Sequence, residues 1–185
     1  MGIYYFTPFA LDKNLGAAYN KYMELLPDDN DWACFTDGDA MFLTPDWGEL
    51  IDRVVAEHPE AGMFTCYTNR VNNQQQLYRG RFSENCDIIA HRNIAKVCRT
   101  LYINRVKQLS RMISGVMMII RKKTWREFPF EDGLLGVDNA ISKRLLDAGK
   151  TVYLIEGIYM LHYYRMAEGR KYTSHLQLSE TVNHG

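Results

Sequence analysis

The sequence predicts an α/β protein with a mostly parallel central sheet flanked by helices. Short apolar runs rich in β-branched and aromatic residues recur along the chain, as is typical of buried strands. Between them the apolar residues return at helical spacing. The first strand, helix and strand together occupy about thirty-five residues, which is enough for a right-handed crossover between parallel strands. Because this alternation repeats, we expect a single α/β sheet.

The first half of the chain supplies most of the alternation. Three apolar runs are predicted to be strands, namely residues 2–6, 32–36 and 63–67. A helix is predicted over residues 15–26 between the first two runs. A second helix is expected to start at Thr44, because its hydroxyl suits an N-cap and Pro45 suits the first helical position.

The second half begins with a break in the pattern. Residues 68–84 have no regular apolar spacing and are predicted to form a long loop, which in a compact domain is usually functional or disordered. Residues 85–111 are expected to be largely helical. Further strands are predicted at residues 116–120, 151–155 and 158–161, and residues 133–138 are predicted to lead into a helix that runs to about residue 148.

Length and composition favour one globular domain. The chain has 185 residues, a formal net charge of zero, 46% hydrophobic and 24% charged residues. We expect a compact domain over residues 1–164, followed by a tail or lid over residues 165–185. The neutral charge gives no reason to expect nucleic-acid binding, and no apolar run is long enough for a membrane span.

The cellular setting is predicted from two further features. No secretory signal is visible at the start of the chain, and the four cysteines show no C-x-x-C spacing. We therefore expect a cytoplasmic protein with reduced thiols. A disulfide between Cys66 and Cys86 stays open as an alternative, because sequence alone does not exclude the pairing.

The triplet Asp37-Gly38-Asp39 is the strongest chemical signal. It directly follows the predicted strand at residues 32–36. Open α/β sheets usually bind ligands at the carboxyl ends of their strands, so the triplet stands where a ligand is expected. Carboxylates at such a place are costly unless a positive group meets them. Their oxygens suit Mg²⁺ or Mn²⁺ carrying the phosphates of a nucleotide. The alternative is a solvated turn, since this triplet is ordinary turn chemistry.

Two more residues are candidates only in combination with that triplet. Asp138 stands at the predicted start of the helix that runs to about residue 148, where by itself it would be an N-cap. His162 ends the last predicted strand, where by itself it would be a structural or surface histidine.

Together these segments resemble a glycosyltransferase of the GT-A fold, a Rossmann-like architecture, and are closest to family 2. The resemblance runs from about residue 3 to residue 164 and depends on the order and spacing of its motifs. The matching segments are N-L-G-A-A-Y-N (14–20), W-A-C-F-T-D-G-D (32–39), G-V-M-M-I-I-R-K-K (115–123), G-V-D-N-A-I-S-K-R-L (136–145) and L-H (161–162).

The resemblance implies a metal-dependent transfer of sugar from a nucleotide-sugar donor, most often a UDP- or GDP-sugar, to a glycan or other hydroxyl acceptor. Asp39 would bind Mn²⁺ or Mg²⁺, with Asp37 beside the metal or the donor ribose and His162 completing the coordination. Asp138 would be the general base of an inverting transfer. The helix dipole is expected to lower the pKa of Asp138.

Two departures from the family accompany this resemblance. The segment that usually separates the first strand from the N-x-G helix is missing, so nucleotide contacts would fall to the following residues besides the aspartate triplet: Thr7, Pro8, Asp12, Lys13 and Asn14. Val137 stands where a glutamate is usual, and Tyr19 where an arginine is common. A catalytically degenerate GT-A domain that only binds a nucleotide or glycan is therefore an alternative. A nucleotidyltransferase is another, although residues 7–14 contain no glycine-rich phosphate loop.

Overall fold

The computed structural model describes residues 1–164, which form one sheet with helices packed around it. Its strands are β1 (Ile3–Phe6), β2 (Trp32–Thr36), β3 (Ala40–Phe42), β4 (Met63–Thr68), β5 (Val106–Leu109), β6 (Met117–Arg121) and β7 (Val152–His162). Its α-helices are α1 (Leu15–Glu24), α2 (Trp47–Glu57), α3 (Ile88–Leu101), α4 (Lys122–Glu127) and α5 (Val137–Asp147). The predicted tail, residues 165–185, lies outside the described residues.

The α/β class is confirmed, but the expectation of a mostly parallel sheet is wrong. The strand order is β1-β2-β6-β4-β7-β3, and β5 also pairs with β7. The crossover pair β1–β2 is parallel, as predicted, and so is β4–β7. All other pairs are antiparallel, because β6 runs backwards between β2 and β4, and β3 and β5 run backwards along β7. The sheet is mixed.

These strand directions bring distant parts of the chain to one edge of the sheet. The strands β1, β2, β4 and β7 point the same way, so their carboxyl ends meet there. The antiparallel strands β3 and β6 begin at that edge. The residues just beyond these ends are Thr7, Asp37, Asn69 and Tyr163, and Gly115 and Asp39 precede the strands that begin there.

The central strands of the sheet are buried on both faces, which explains their continuous apolar runs. In β2, Trp32 and Cys34 pack into the core cluster that α2 covers, while Ala33 and Phe35 pack into the cluster that α1 and α5 cover. All four side chains have no exposed surface. A strand covered by helices on both sides has no polar face, so its sequence does not alternate.

Three predicted elements differ in detail. The predicted helix over residues 85–111 is α3 followed by β5, because Asn104 adopts a left-handed conformation (φ 60°) and turns the chain after α3. The two strands predicted after residue 150 are one strand, β7, whose register against β4 shifts between Cys66 and Tyr67. The helix predicted to start at Thr44 starts at Trp47, after Asp46 as the N-cap residue.

Two further features bear on the predicted setting. All four cysteines are thiols, and Cys66 lies in the core whereas Cys86 is exposed, so the alternative of a Cys66–Cys86 disulfide does not hold. Among the described residues, no helix has both the length and the apolar character that crossing a membrane requires.

Candidate metal centre and its cavity

Asp37, Asp39 and His162 come together at the sheet edge. One ligand atom from each side chain lies within 4.8 Å of the others. His162 Nε2 is 3.4 Å from Asp39 Oδ1 and 3.7 Å from Asp37 Oδ2. The cause is the pairing of β3 with β7, in which Ala40 stands opposite His162 and the Tyr163 amide donates to the Asp39 carbonyl at 2.8 Å. This pairing joins two segments that lie far apart in sequence.

The His162 imidazole is held in the tautomer that a metal ligand requires. Its Nδ1 lies 2.9 Å from the Arg70 carbonyl oxygen, which only accepts, so Nδ1 carries the proton. Nε2 therefore presents a lone pair to the two carboxylates. This nitrogen is buried and has no hydrogen-bond partner among the described residues. A divalent cation would satisfy it, and the carbonyl contact to the other nitrogen is typical of a metal-binding histidine.

Asn69 fixes the backbone on which that imidazole stands. Its Oδ1 accepts from the His162 amide at 2.8 Å, and its Nδ2 donates to the His162 carbonyl at 3.2 Å. The Thr68 hydroxyl also donates to Asn69 Oδ1, at 3.2 Å. Asn69 and His162 are both buried, so these bonds are shielded from competing water. Neither Asn69 nor Arg70 was singled out by the sequence. The available signal was a polar residue directly after a buried strand, as at Asp37.

The two carboxylates have pKa values shifted in opposite directions. Burial raises the pKa of Asp37 to about 6, reinforced by Asp39 and Asp138 and opposed by His162. In the absence of a metal, a protonated His162 imidazole would donate from Nε2 to Asp39, and this hydrogen bond lowers the pKa of Asp39. A carboxyl whose charge is poorly solvated favours a cation beside it, because the cation stabilises the ionised form. The set of two carboxylates and one imidazole therefore fits a divalent metal ion.

Asp138 lines the same cavity as two members of this cluster, Asp37 and His162. The cavity has a volume of about 610 Å³, and its lining includes Asp37, Asp138, His162 and Tyr164. Asp138 Oδ2 accepts from the Gly115 amide at 2.6 Å. Gly115 allows this approach, since a Cβ there would lie only 2.9 Å from the Asp138 Cβ.

Two expectations for Asp138 were wrong. It is not the N-cap of α5, because Gly136 (φ 75°) takes that position and Asp138 lies in the first turn. Its pKa is raised rather than lowered. Burial penalises the charged carboxylate more than the backbone amides around it, including that of Gly115, stabilise it.

The residues predicted to contact the nucleotide divide into two groups. Thr7 borders the aspartate triplet, since its Oγ1 lies 3.2 Å from Thr36 Oγ1 and its methyl group lies 3.6 Å from where a Gly38 Cβ would be. Pro8 follows it in the connection to α1.

The other group has structural roles and lines a different cavity. Asn14 caps α1 by accepting from the Ala17 amide at 3.1 Å, and Asp12 accepts from the Asn14 amide at 3.1 Å. Lys13 between them has a left-handed backbone (φ 59°). Asp12 and Asn14 line a separate cavity of about 470 Å³ beside the exposed Phe9.

Comparison with models of protein families and with curated proteins gave no match to this chain. Its chemistry is therefore argued from the geometry of the cluster and its cavity.

Proposed function

We propose that the protein is a metal-dependent glycosyltransferase of the GT-A type, which moves a sugar from a nucleotide-sugar donor to an acceptor hydroxyl. The supporting observation is that Asp37, His162 and Asp138 line one cavity. Its volume of about 610 Å³ lies within the range of small-molecule sites. The cavity combines candidate metal ligands with a candidate base, which a displacement at a sugar carbon requires.

The proposed cofactor is Mn²⁺ or Mg²⁺, held by Asp37, Asp39 and His162. A bound divalent ion would supply positive charge that stabilises the departing diphosphate. The proposed donor is a nucleoside diphosphate sugar, with UDP- or GDP-sugars as the first choice. Thr7 and Gly38 adjoin the cluster and are proposed to border the donor.

The proposed transfer inverts the configuration at the sugar. The acceptor oxygen forms a bond to the anomeric carbon while the bond from that carbon to the diphosphate oxygen breaks. The electron pair of the broken bond leaves with the diphosphate, and the hydroxyl proton passes to the Asp138 carboxylate. The Gly115 amide orients the Asp138 carboxylate. The raised pKa of Asp138 makes this carboxylate a better proton acceptor than that of an ordinary aspartate.

The experiment is an assay of sugar transfer and donor hydrolysis with a panel of nucleotide sugars and Mn²⁺. We expect activity that a chelator removes. The substitution Asp138→Asn should leave Mn²⁺ and donor binding intact, because Asp138 is not among the proposed ligands. It should lower the transfer rate by about 10²–10⁴-fold, since it removes general-base catalysis.

The matched control is Asp52→Asn, which removes one carboxylate from the exposed face of α2 and should leave transfer unchanged. Unaltered transfer in Asp138→Asn would contradict the assignment of the base. If the protein binds Mn²⁺ and a nucleotide sugar but turns over no donor in the panel, it is a binding domain and not a transferase.

A further inference from the structure

The cavity that Asp138 lines adjoins a second one. This neighbour has a volume of about 580 Å³ and shares Asn72, Ser114 and Asn139 with the first. Amide and hydroxyl side chains dominate the shared wall. Each of these groups both donates and accepts hydrogen bonds, as a sugar hydroxyl does. The second cavity is therefore suited to a polyhydroxylated ligand whose end reaches Asp138.

The second cavity in turn adjoins a cationic one. The third has a volume of about 460 Å³ and shares Gln74, Ser110 and Arg111 with the second. Its lining includes Arg79, Lys107 and Arg111, and none of the described residues that line it is acidic. These three side chains form no ion pair within residues 1–164. Three uncompensated cations in one concave surface favour an anionic ligand.

The walls of these cavities are held in place by hydrogen bonds between two loops. Asn73 Nδ2 donates to the Met112 carbonyl at 2.9 Å. The buried Gln76 side chain accepts from the Ser114 amide at 2.7 Å and donates to the Ser114 carbonyl at 2.9 Å. A ligand that binds here does not have to order these walls, so less free energy is lost on binding.

The cationic cavity also contains backbone strain. Arg79 adopts a left-handed conformation (φ 54°), which is unfavourable for a residue with a side chain. Strained residues of this kind occur preferentially at ligand sites, where the surrounding structure maintains them. The strain is a second, independent feature of the same cavity.

We propose that the three adjoining cavities together bind an acidic oligosaccharide, with its carboxylate or sulfate groups at Arg79, Lys107 and Arg111. Its role as the acceptor of sugar transfer rests on the proposed function. In the middle cavity Lys143 pairs with Asp147, so the charge left without an ion-pair partner among the described residues there is that of Arg111, on the side shared with the cationic cavity. A nucleic acid is disfavoured, because the formal net charge is zero and no aromatic residue is among the described lining of the middle cavity.

The test measures binding without metal or donor, so that it does not depend on catalysis. By calorimetry at low salt, tetragalacturonate and a chondroitin sulfate tetrasaccharide are compared with neutral maltotetraose. We expect at least one acidic sugar to bind on the order of tenfold more tightly than the neutral one, with the difference shrinking as salt is added. The triple variant Arg79→Gln/Lys107→Gln/Arg111→Gln should remove this difference and keep the neutral affinity.

The matched control also removes three exposed positive charges, at positions that line none of these cavities: Arg92→Gln, Lys96→Gln and Lys123→Gln. It should bind the acidic sugars as the unaltered protein does. Thermal melting of both triple variants checks that they fold. The single variant Arg111→Gln, which is the least disruptive, should show an intermediate loss.

Several outcomes would overturn the inference. These are equal affinity for acidic and neutral sugars, no binding of either acidic sugar, equal losses in the two triple variants, or tighter binding of a single-stranded oligonucleotide. The proposed function fails separately. A protein that binds acidic sugars through these three residues but transfers no sugar keeps the inference and loses the function. An active enzyme that uses neutral acceptors as well as acidic ones keeps the proposed function and loses the inference.

Discussion

Asn69 is the residue on which the position of His162 depends most directly. Both backbone hydrogen-bonding groups of His162 are satisfied by this one side chain. We predict that Asn69→Ala weakens Mn²⁺ binding by about 10–100-fold, the range seen when partners of metal ligands are removed. Asn69→Asp keeps the hydrogen-bond acceptor but loses the donor, so its Mn²⁺ affinity should lie between those of the unaltered protein and Asn69→Ala. Calorimetric titration with Mn²⁺ measures both effects.

A loss of stability would also accompany Asn69→Ala, because two buried backbone groups lose their partner, at a cost of about 1–3 kcal/mol each. Mn²⁺ affinity must therefore be measured well below the melting temperature of each variant. The control is Asn93→Ala, which removes an exposed amide from α3. Full Mn²⁺ affinity in a folded Asn69→Ala protein would show that Asn69 does not position His162 for metal binding.

The raised pKa of Asp37 predicts how metal binding depends on pH. Only the carboxylate form binds a cation, so below about pH 6 protonation competes with Mn²⁺. Apparent Mn²⁺ affinity should fall on the order of tenfold for each pH unit below that value. Titrations between about pH 5 and 7 test this, and Asp37→Asn should lose the part of the pH dependence that Asp37 causes. A pH dependence that is the same in Asp37→Asn would contradict it.

The raised pKa of Asp37 also affects the stability of the metal-free protein, but this stability changes with pH in the opposite direction to Mn²⁺ affinity. The folded state holds the Asp37 proton more tightly than the unfolded chain does, because its pKa is raised. Stability should therefore fall as the pH rises from about 4 to about 6, and this fall should be absent in Asp37→Asn. Urea unfolding of both proteins in a chelator measures it.

Among the elements, α1 is held against the segment before α5 by a close backbone contact. A Cβ on Gly16 would lie 1.8 Å from the Glu131 carbonyl oxygen, and the Gly16 amide donates to the Gly133 carbonyl at 3.1 Å. We predict that Gly16→Ala destabilises the protein by about 3 kcal/mol, since α1 must move away from rigid backbone. Urea unfolding measures the change.

The control for this prediction is Gly48→Ala in α2, where a Cβ would meet nothing within 4 Å. There alanine should stabilise the helix by up to about 1 kcal/mol, because it has the higher helix propensity. Similar stabilities for the two alanine variants would mean that α1 does not approach the segment before α5 as closely as described.

The sequence predicts the elements better than their directions. The α1 crossover between β1 and β2 is short and local, so its parallel pairing could be predicted. The antiparallel direction of β6 could not, because β6 follows a long segment containing α3 and β5 and pairs with strands far earlier in the chain. Nothing in the apolar run of β6 records which way it runs between β2 and β4.

In the candidate site, too, the sequence predicts the features that depend on local signals and not those that depend on the pairing of distant strands. Asp37 and Asp39 are marked locally by two carboxylates after a buried strand. Their meeting with His162 depends on the pairing of β3 with β7, which is non-local and was expected only through the resemblance. Asn14 was expected at the nucleotide, but its observed contacts cap α1 and bind the Gly133 amide, which is a local structural role.

At the scale of the whole molecule, the thiols report on global stability. Cys34 and Cys66 lie in central strands, have no appreciable exposure, and have pKa values that burial raises. Cys98 is also buried, and burial raises its pKa to about 12. Cys86 is exposed. We predict that a thiol reagent modifies Cys86 quickly and the three buried thiols only when the protein opens.

Mn²⁺ bound at the cluster should therefore protect the core thiols by stabilising the folded state. A ligand at 100 times its dissociation constant stabilises the folded state by about 2.7 kcal/mol, which corresponds to about 100-fold less of the unfolded form. Modification of Cys34 and Cys66 should slow by that factor, and modification of Cys86 should not change. His162→Ala should lose the protection, whereas His58→Ala, at the end of α2, should keep it. Neither thiol belongs to the proposed ligand set, so equal rates with and without Mn²⁺ would mean that the cluster binds no metal.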